Sequence, residues 1–350
     1  MLVLNTLYSA HFERFSLIRE ISRSQNLSLA NKINNMAVRR FAVEISTILN
    51  NVISLFLIIL AGFYGSKKGF INDKVNKGLT SILLDITLPC MIISSFNLSY
   101  NGVIKFNILR TFYYSLAVYI IIILISSILT LPIKNEKKII LHFANIFTNT
   151  GYIGFPILNV IYGTEAVMYG SIFNVFFNIF LWTYGIIIFK GKMERKELIK
   201  EMLNALKNPS LIAVYIGIIL ILFDLKLPKV ISLSASSIGN ITGPLSMIIV
   251  GALCYKVQIR KYLSDWTIYY GIAVKLIAIP GILYFLSLLI RDKSIVLNTV
   301  IILASMPAAA MTSIFADSFN VNKGYASVIV LSTTLLSILT LPLLLKIIMQ

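Results

Sequence analysis

Apolar runs of about 20 residues recur along almost the whole chain, separated by short polar stretches. An α-helix rises about 1.5 Å per residue, so each run is long enough to cross about 30 Å of hydrocarbon. That regularity removes most folds from consideration. A soluble globule carries far more charge than the 13% found here beside 57% hydrophobic residues. Membrane β-barrel strands would be about 10 residues long with alternating polarity, a pattern the sequence lacks. The chain reads as an all-α polytopic membrane protein whose solvent is the lipid bilayer.

Ten transmembrane helices are expected, at about 45–65, 76–97, 109–132, 139–159, 165–189, 208–224, 231–255, 266–290, 295–317 and 324–348. Lys and Arg in the loops after odd-numbered spans greatly outnumber those after even-numbered spans, and the longest basic loop, Lys190 to Asn208, follows the fifth. The positive-inside rule then places the odd loops in the cytoplasm and both termini outside, as expected of a multi-pass plasma-membrane protein. The net charge of +17 therefore reports orientation, not a nucleic-acid partner. Residues 1–40 differ from the 41–350 domain. They are polar, carry Arg14, Arg19, Arg23, Lys32, Arg39 and Arg40, and lack the apolar core of a signal peptide. They read as a flexible extension, or as an over-long start with Met36 as the first residue. Their charge opposes the orientation that the loops give.

Ten spans around a central charged loop suggest two halves of five, and an odd number per half makes the two halves inverted repeats. Span two carries LDITLPCMII (Leu84–Ile93) and span seven GNITGPLSMII (Gly239–Ile249), each with a proline near its middle. Span four breaks at NTGYIGFPIL (Asn149–Leu158), and span nine at ASMPAAAMTS (Ala304–Ser313). In lipid every freed backbone group must find a partner, so a break needs a reason. Interrupted spans at corresponding places in two halves point to a secondary transporter and to its binding site. The competing reading is that Pro and Gly serve as packing kinks.

The chemistry of such a break favours an anion. Pro156 has no N–H and blocks a helical turn, leaving nearby carbonyls without partners. Gly151 and Gly154 leave room for another helix, and Pro307 with Ala308 offers the same mixture of break and small side chain. Each half-helix that begins at a break presents unpaired N–H groups and the positive end of its dipole. A carboxylate fits that arrangement without a basic side chain. Asn149 can donate to it, and Asn145 and Thr148 lie one turn back. For all three the alternative is interhelical hydrogen bonding.

FTNTGYIGFPILNVIYG resembles the fourth-helix motif of the auxin efflux carrier family, which includes the plant PIN-type exporters and many microbial permeases. The matching positions are Asn149, Gly154, Pro156, Tyr162 and Gly163. SMPAAAMTSIFADSFNVNKGYAS resembles the family's ninth-helix segment, KNPSLIAVYIG its entry to the sixth, and KLIAIPGIL the basic residue five positions ahead of a proline in the eighth. The resemblance covers about residues 41 to 350. It implies scaffold helices one, two, six and seven. It also implies a mobile transport unit of helices three to five and eight to ten, with broken helices four and nine crossing beside the substrate. Homodimers through the scaffold are implied as well. The central loop is short, unlike that of many plant members, which argues against auxin as the substrate.

Two charges lie within spans. Asp85, four residues before Pro89, is expected to carry a coupling proton or help bind a cation, or else to pair with Lys275 or be hydrogen-bonded near water. Lys275 is expected to attract an organic anion, to lock helices by an ion pair, or to snorkel to the surface. His142, near the start of span four, can titrate, but a lone histidine reads more often as packing or surface. Cys90 and Cys254 read as buried small hydrophobes with no metal spacing. Asn208 before Pro209 reads as a helix cap. No catalytic residue, metal site or cofactor is expected. A coupling ion, H⁺ or Na⁺, is left open. The functional reading is a carrier of a small organic anion working by alternating access. The alternatives are a channel, for which no ring of like charge is evident, and a membrane-embedded enzyme, for which no paired nucleophile and base are present.

Overall fold

The computed structural model describes residues 54, 57–97, 102–190, 199, 203, 206–256 and 259–348, all within one compact unit, Ile53–Gln350. The expected extension over 1–40 and the start of the first span lie outside the described residues. In chain order the helices are α1 (Leu57–Lys67), α2 (Asp73–Ser95), α3 (Gly102–Leu129), α4 (Asn135–Ile146), α5 (Phe155–Tyr162), α6 (Thr164–Lys190), α7 (Pro209–Leu222), α8 (Lys229–Gly239), α9 (Thr242–Lys256), α10 (Trp266–Ile290), α11 (Ile295–Ala304), α12 (Met311–Ser318) and α13 (Lys323–Ile348). No strand occurs among the described residues.

Among the described residues, six helical segments are long and apolar enough to cross a membrane: α2, α3, α6, α10, α13 and the run Lys229–Tyr255 through α8 and α9. They fall on the second, third, fifth, eighth, tenth and seventh expected spans. The fourth span is two shorter helices, α4 and α5, and the ninth is α11 and α12. Helix α3 starts at Gly102, seven residues earlier than expected, and carries two cations that find acids. Lys105 pairs with Asp224, and Arg110 pairs with Asp292 of the α10–α11 connection. Asp292 also accepts from the Tyr114 hydroxyl at 2.8 Å and from the Ser294 N–H at 2.9 Å. Burial pushes its carboxyl up, but these bonds and the Arg110 charge hold it below the usual carboxylate range.

Three prolines explain local departures from α geometry. A proline in mid-helix cannot donate, and its ring crowds the carbonyl four residues back. At Pro89, Pro156 and Pro280 the preceding turn widens to a π turn. The residue before each proline donates five positions back, Leu88 to Leu83, Phe155 to Thr150 and Ile279 to Val274. Such single π turns are often found at functional sites. The Asn208 side chain accepts from the Ser210 N–H at 2.9 Å, with Pro209 opening α7, so that residue is the cap its sequence suggests.

Packing is inside-out relative to a soluble bundle. Leu109, Leu124, Ile128, Leu289, Leu339 and Leu343 are exposed, while Ser115, Ser126, Thr299, Thr333, Thr334 and Ser337 are buried. Ser126 bonds to α4, Thr333 and Ser337 bond to carbonyls of their own helix, and the apolar exterior suits lipid. The second half of α2 packs on α7 and α8, burying Met91, Ile92 and Phe96 with Ala213 and Val214. Helix α11 packs on α3 and α6, α12 on α13, and α4 on α3, α12 and α13. These contacts hold the ends of the four short helices in the interior.

Candidate functional site

The two helix interruptions lie side by side. Helix α4 ends at Ile146, and Phe147 is extended, with ψ 110°. The chain re-enters helical geometry only at Thr150, where Asn149 is the capping residue and its side-chain oxygen accepts from the Tyr152 N–H at 3.3 Å. On the other side α11 ends at Ala304 and α12 begins at Met311. The two unwound segments bond to each other as a short antiparallel bridge between Thr148 and Ala308. The Asn149 N–H donates to the Pro307 carbonyl at 2.8 Å, and the Ala309 N–H to the Phe147 carbonyl at 2.9 Å. The Ala308 N–H donates to the Thr333 hydroxyl of α13 at 3.3 Å. Groups freed by one interruption are thus satisfied by the other, as a low-dielectric interior demands.

Small residues permit this approach. A Cβ on Gly154 would come within 2.6 Å of a terminal methyl of Leu303 of α11, so a side chain there would make the Leu303 side chain turn away. Gly151 is less constrained, since its nearest neighbour would be Leu88 at 3.7 Å. Pro156, Pro307 and Ala308 are buried.

The polar side chains are enclosed: Asn145 and Thr148 are 1% exposed and Asn149 is 5%. Asn145 donates to the Ser126 hydroxyl of α3 at 3.2 Å. Its side-chain oxygen, and the Thr148 and Thr312 hydroxyls, have no protein partner among the described residues. Such atoms are groups that a bound molecule or water can satisfy, and others, among them Ser115, Tyr119 and Thr299, lie elsewhere among the described residues.

Lys275 is 1% exposed and sits in the π turn of α10. Its ammonium donates to the Asn145 carbonyl at 2.7 Å, capping the negative end of the α4 dipole from a neighbouring helix. No carboxylate lies within ion-pair distance among the described residues. Asp85 is elsewhere, exposed on the outer surface of α2 beside Ile82 and Ile86. The two intramembrane charges do not pair, and Lys275 does not reach the surface.

The structure adds residues that sequence reasoning did not select. Thr150 donates to the Asn174 side chain at 3.1 Å, and Asn178 donates to the Asn174 carbonyl at 2.8 Å. Two asparagines four apart in an apolar run lie on one helix face, a signal that could have found them. Thr333 and Ser126 carried no such signal, because single hydroxyls are common in membrane helices.

The sequence is similar to known membrane transport proteins. The profile of a family described as membrane transport protein matches residues 47–345. An uncharacterized transporter of Methanocaldococcus jannaschii is 28% identical over 293 residues, covering 81% of this chain and 93% of that protein. An uncharacterized transporter of Methanothermobacter thermautotrophicus is 21% identical over 306 residues, covering 83% and 95% respectively.

Proposed function

Because the chain belongs to this membrane transport protein family, the auxin efflux carrier family, we propose that it is a secondary carrier for a small organic anion, a carboxylate, bound where the interruptions of the fourth and ninth spans meet. The observation that carries this reading is the bridge between Thr148 and Ala308, flanked by enclosed polar atoms that lack protein partners. Asn149 can donate its side-chain N–H groups, since only its oxygen is engaged among the described residues. Lys275 supplies the positive charge that offsets a carboxylate taken out of water. Thr148 and Thr312 supply hydroxyls. Gly154, Pro307 and Ala308 keep the segments close, with Pro156 shaping the π turn beside them.

In this proposal the two halves are inverted five-helix repeats whose fourth and ninth helices cross. Helices three to five and eight to ten move against a scaffold of one, two, six and seven, exposing the site alternately to each face. The protein sits in the plasma membrane with both termini outside and pairs as a homodimer through the scaffold. An inside-negative potential drives an exported anion by about 2.3 kcal/mol per charge per 100 mV. The buried polar groups at the bridge support a carrier over a pore, which needs a continuous polar path.

A thermal-stability screen of the purified protein against acetate, succinate and malate, with sucrose as a neutral control, tests this. At least one carboxylate is expected to raise the unfolding temperature, and Asn149→Ala is expected to weaken that effect about tenfold in concentration. One lost charge-assisted hydrogen bond has this magnitude. Equal stabilisation of both proteins would rule out Asn149 as a ligand.

A further inference from the structure

His142 lies on α4, one turn before Asn145, and both of its ring nitrogens are engaged. Nδ1 is 2.9 Å from the Ser126 hydroxyl of α3, and Nε2 is 2.9 Å from the Tyr184 hydroxyl of α6. Both partners are hydroxyls, which can donate or accept. A neutral imidazole receives one O–H and gives one N–H. A charged imidazole gives both N–H groups, and Ser126 then turns its own proton to the His142 carbonyl, 3.3 Å away. The surroundings therefore satisfy either charge state without repacking. Imidazole is also the side chain whose ordinary range spans neutral pH.

Ser126 also accepts from the Asn145 amide at 3.2 Å, and the Asn145 carbonyl receives the Lys275 ammonium at 2.7 Å. Hydrogen bonds thus join Tyr184, His142, Ser126 and the Asn145 side chain, and the main-chain carbonyl of the same Asn145 holds Lys275 beside the paired interruptions. We propose that His142 is the site of a transported or coupling proton, and that its charge state is linked through these bonds to anion binding at the interruption. The inference rests on the carrier reading above. A proton on His142 adds positive charge on the helix that holds Asn145, so the protonated form favours the anion and the anion favours the protonated form.

The surrounding charges leave this role to His142. On its own helix, Lys137 pairs with Asp265, Glu136 accepts from the Asn322 N–H, and Lys138 is a like charge one turn away. Helix α3 carries no ionisable side chain over its last two turns. Helix α6 brings Tyr184 and Lys190. Helix α10 brings Lys275 and Tyr270, whose hydroxyl donates to the Leu129 carbonyl. On α12, Asp317 pairs with Lys323 of α13, and Tyr325 of α13 donates to Thr267. The acids on these elements are engaged with other groups, so the imidazole's direct partners are neutral hydroxyls.

The test has two arms on the full chain. The protein has two histidines, His11 and His142, so histidine-selective isotope labelling with His142→Gln as the reference assigns the His142 ring signals by NMR. Those signals are expected to titrate, and the midpoint to move to higher pH in Lys275→Met, which removes a like charge, and to move in Tyr184→Phe. Signals that do not change between pH 4 and 9, or a midpoint identical in all three proteins, would overturn the proton site. In the second arm, succinate is expected to stabilise the protein at about fivefold lower concentration at pH 6 than at pH 8, and His142→Gln to remove the difference. An undiminished pH difference in His142→Gln overturns the linkage. If succinate, acetate and malate stabilise nothing at either pH, the anion reading falls, while the NMR arm still decides the proton site.

Discussion

Gly251→Leu is expected to leave almost no folded, monodisperse protein. Gly62 of α1 and Gly251 of α9 are a reciprocal pair. A Cβ on Gly251 would strike the Ile59 carbonyl, and one on Gly62 would strike the Ile248 carbonyl. The obstacles are main-chain atoms, so no rotamer change relieves the clash and the two helices must separate. Overpacking against movable side chains costs about 1–3 kcal/mol. Here the loss exceeds that range, because separation also exposes the contacts around Ile59, Met247 and Ile249, all buried. Such close backbone approach through small residues is a general source of helix association in lipid. Gly281→Ala is the matched control. Its Cβ would meet nothing within 4 Å, and replacing a mid-helix glycine gains about 0.5–1 kcal/mol. Size-exclusion profiles and unfolding temperatures of the two variants should move in opposite directions. A monodisperse Gly251→Leu protein with an unchanged unfolding temperature would show that α1 and α9 do not touch this way.

Lys275→Met is expected to fold and to lose most carboxylate binding. Its effect on stability is the balance of two opposed terms. The substitution removes a charge-assisted hydrogen bond to the Asn145 carbonyl, about 1.5–3 kcal/mol. It also removes the desolvation cost of an ammonium that is 1% exposed and has no acid beside it. Nothing comparable offsets the loss of attraction for an anion. At an effective dielectric of about 20, an enclosed unit charge near a carboxylate contributes on the order of 2 kcal/mol, or about thirtyfold in affinity. Titrating succinate against unfolding temperature in wild type and variant reads this directly. Undiminished affinity in a folded Lys275→Met protein would show that Lys275 serves only to cap α4.

Most of the helical framework was legible in the sequence, because lipid imposes a length on every span and charge marks the loops. Pro156 and Pro307 marked the neighbourhoods of the two interruptions, but the fourth span unwinds at Phe147 to Asn149, upstream of Pro156, which itself sits in continuous helical geometry after a π turn. The pairing of the interruptions was not legible. Phe147 and Ala309 are joined by a single main-chain bond between residues far apart in sequence, and no side-chain pattern encodes it. The surroundings of Lys275 were hidden for a similar reason. Sequence offers Asp85 as the natural counter-charge, whereas the observed partner is a carbonyl at a helix end, which every residue type carries. Asp85 lies inside the π turn before Pro89, where a regular helical wheel no longer gives the direction of a side chain. His142 looked like packing because its partners, Ser126 and Tyr184, come from two other helices.

The most direct measurement is an experimental density map of the full chain in lipid nanodiscs with the most stabilising carboxylate of the screen. The expected result is ligand density against Asn149 and beside the bridge between Thr148 and Ala308, with the Lys275 ammonium at the end of α4. A map in which the fourth and ninth spans run as continuous, separated helices, or in which the carboxylate sits elsewhere, would contradict it.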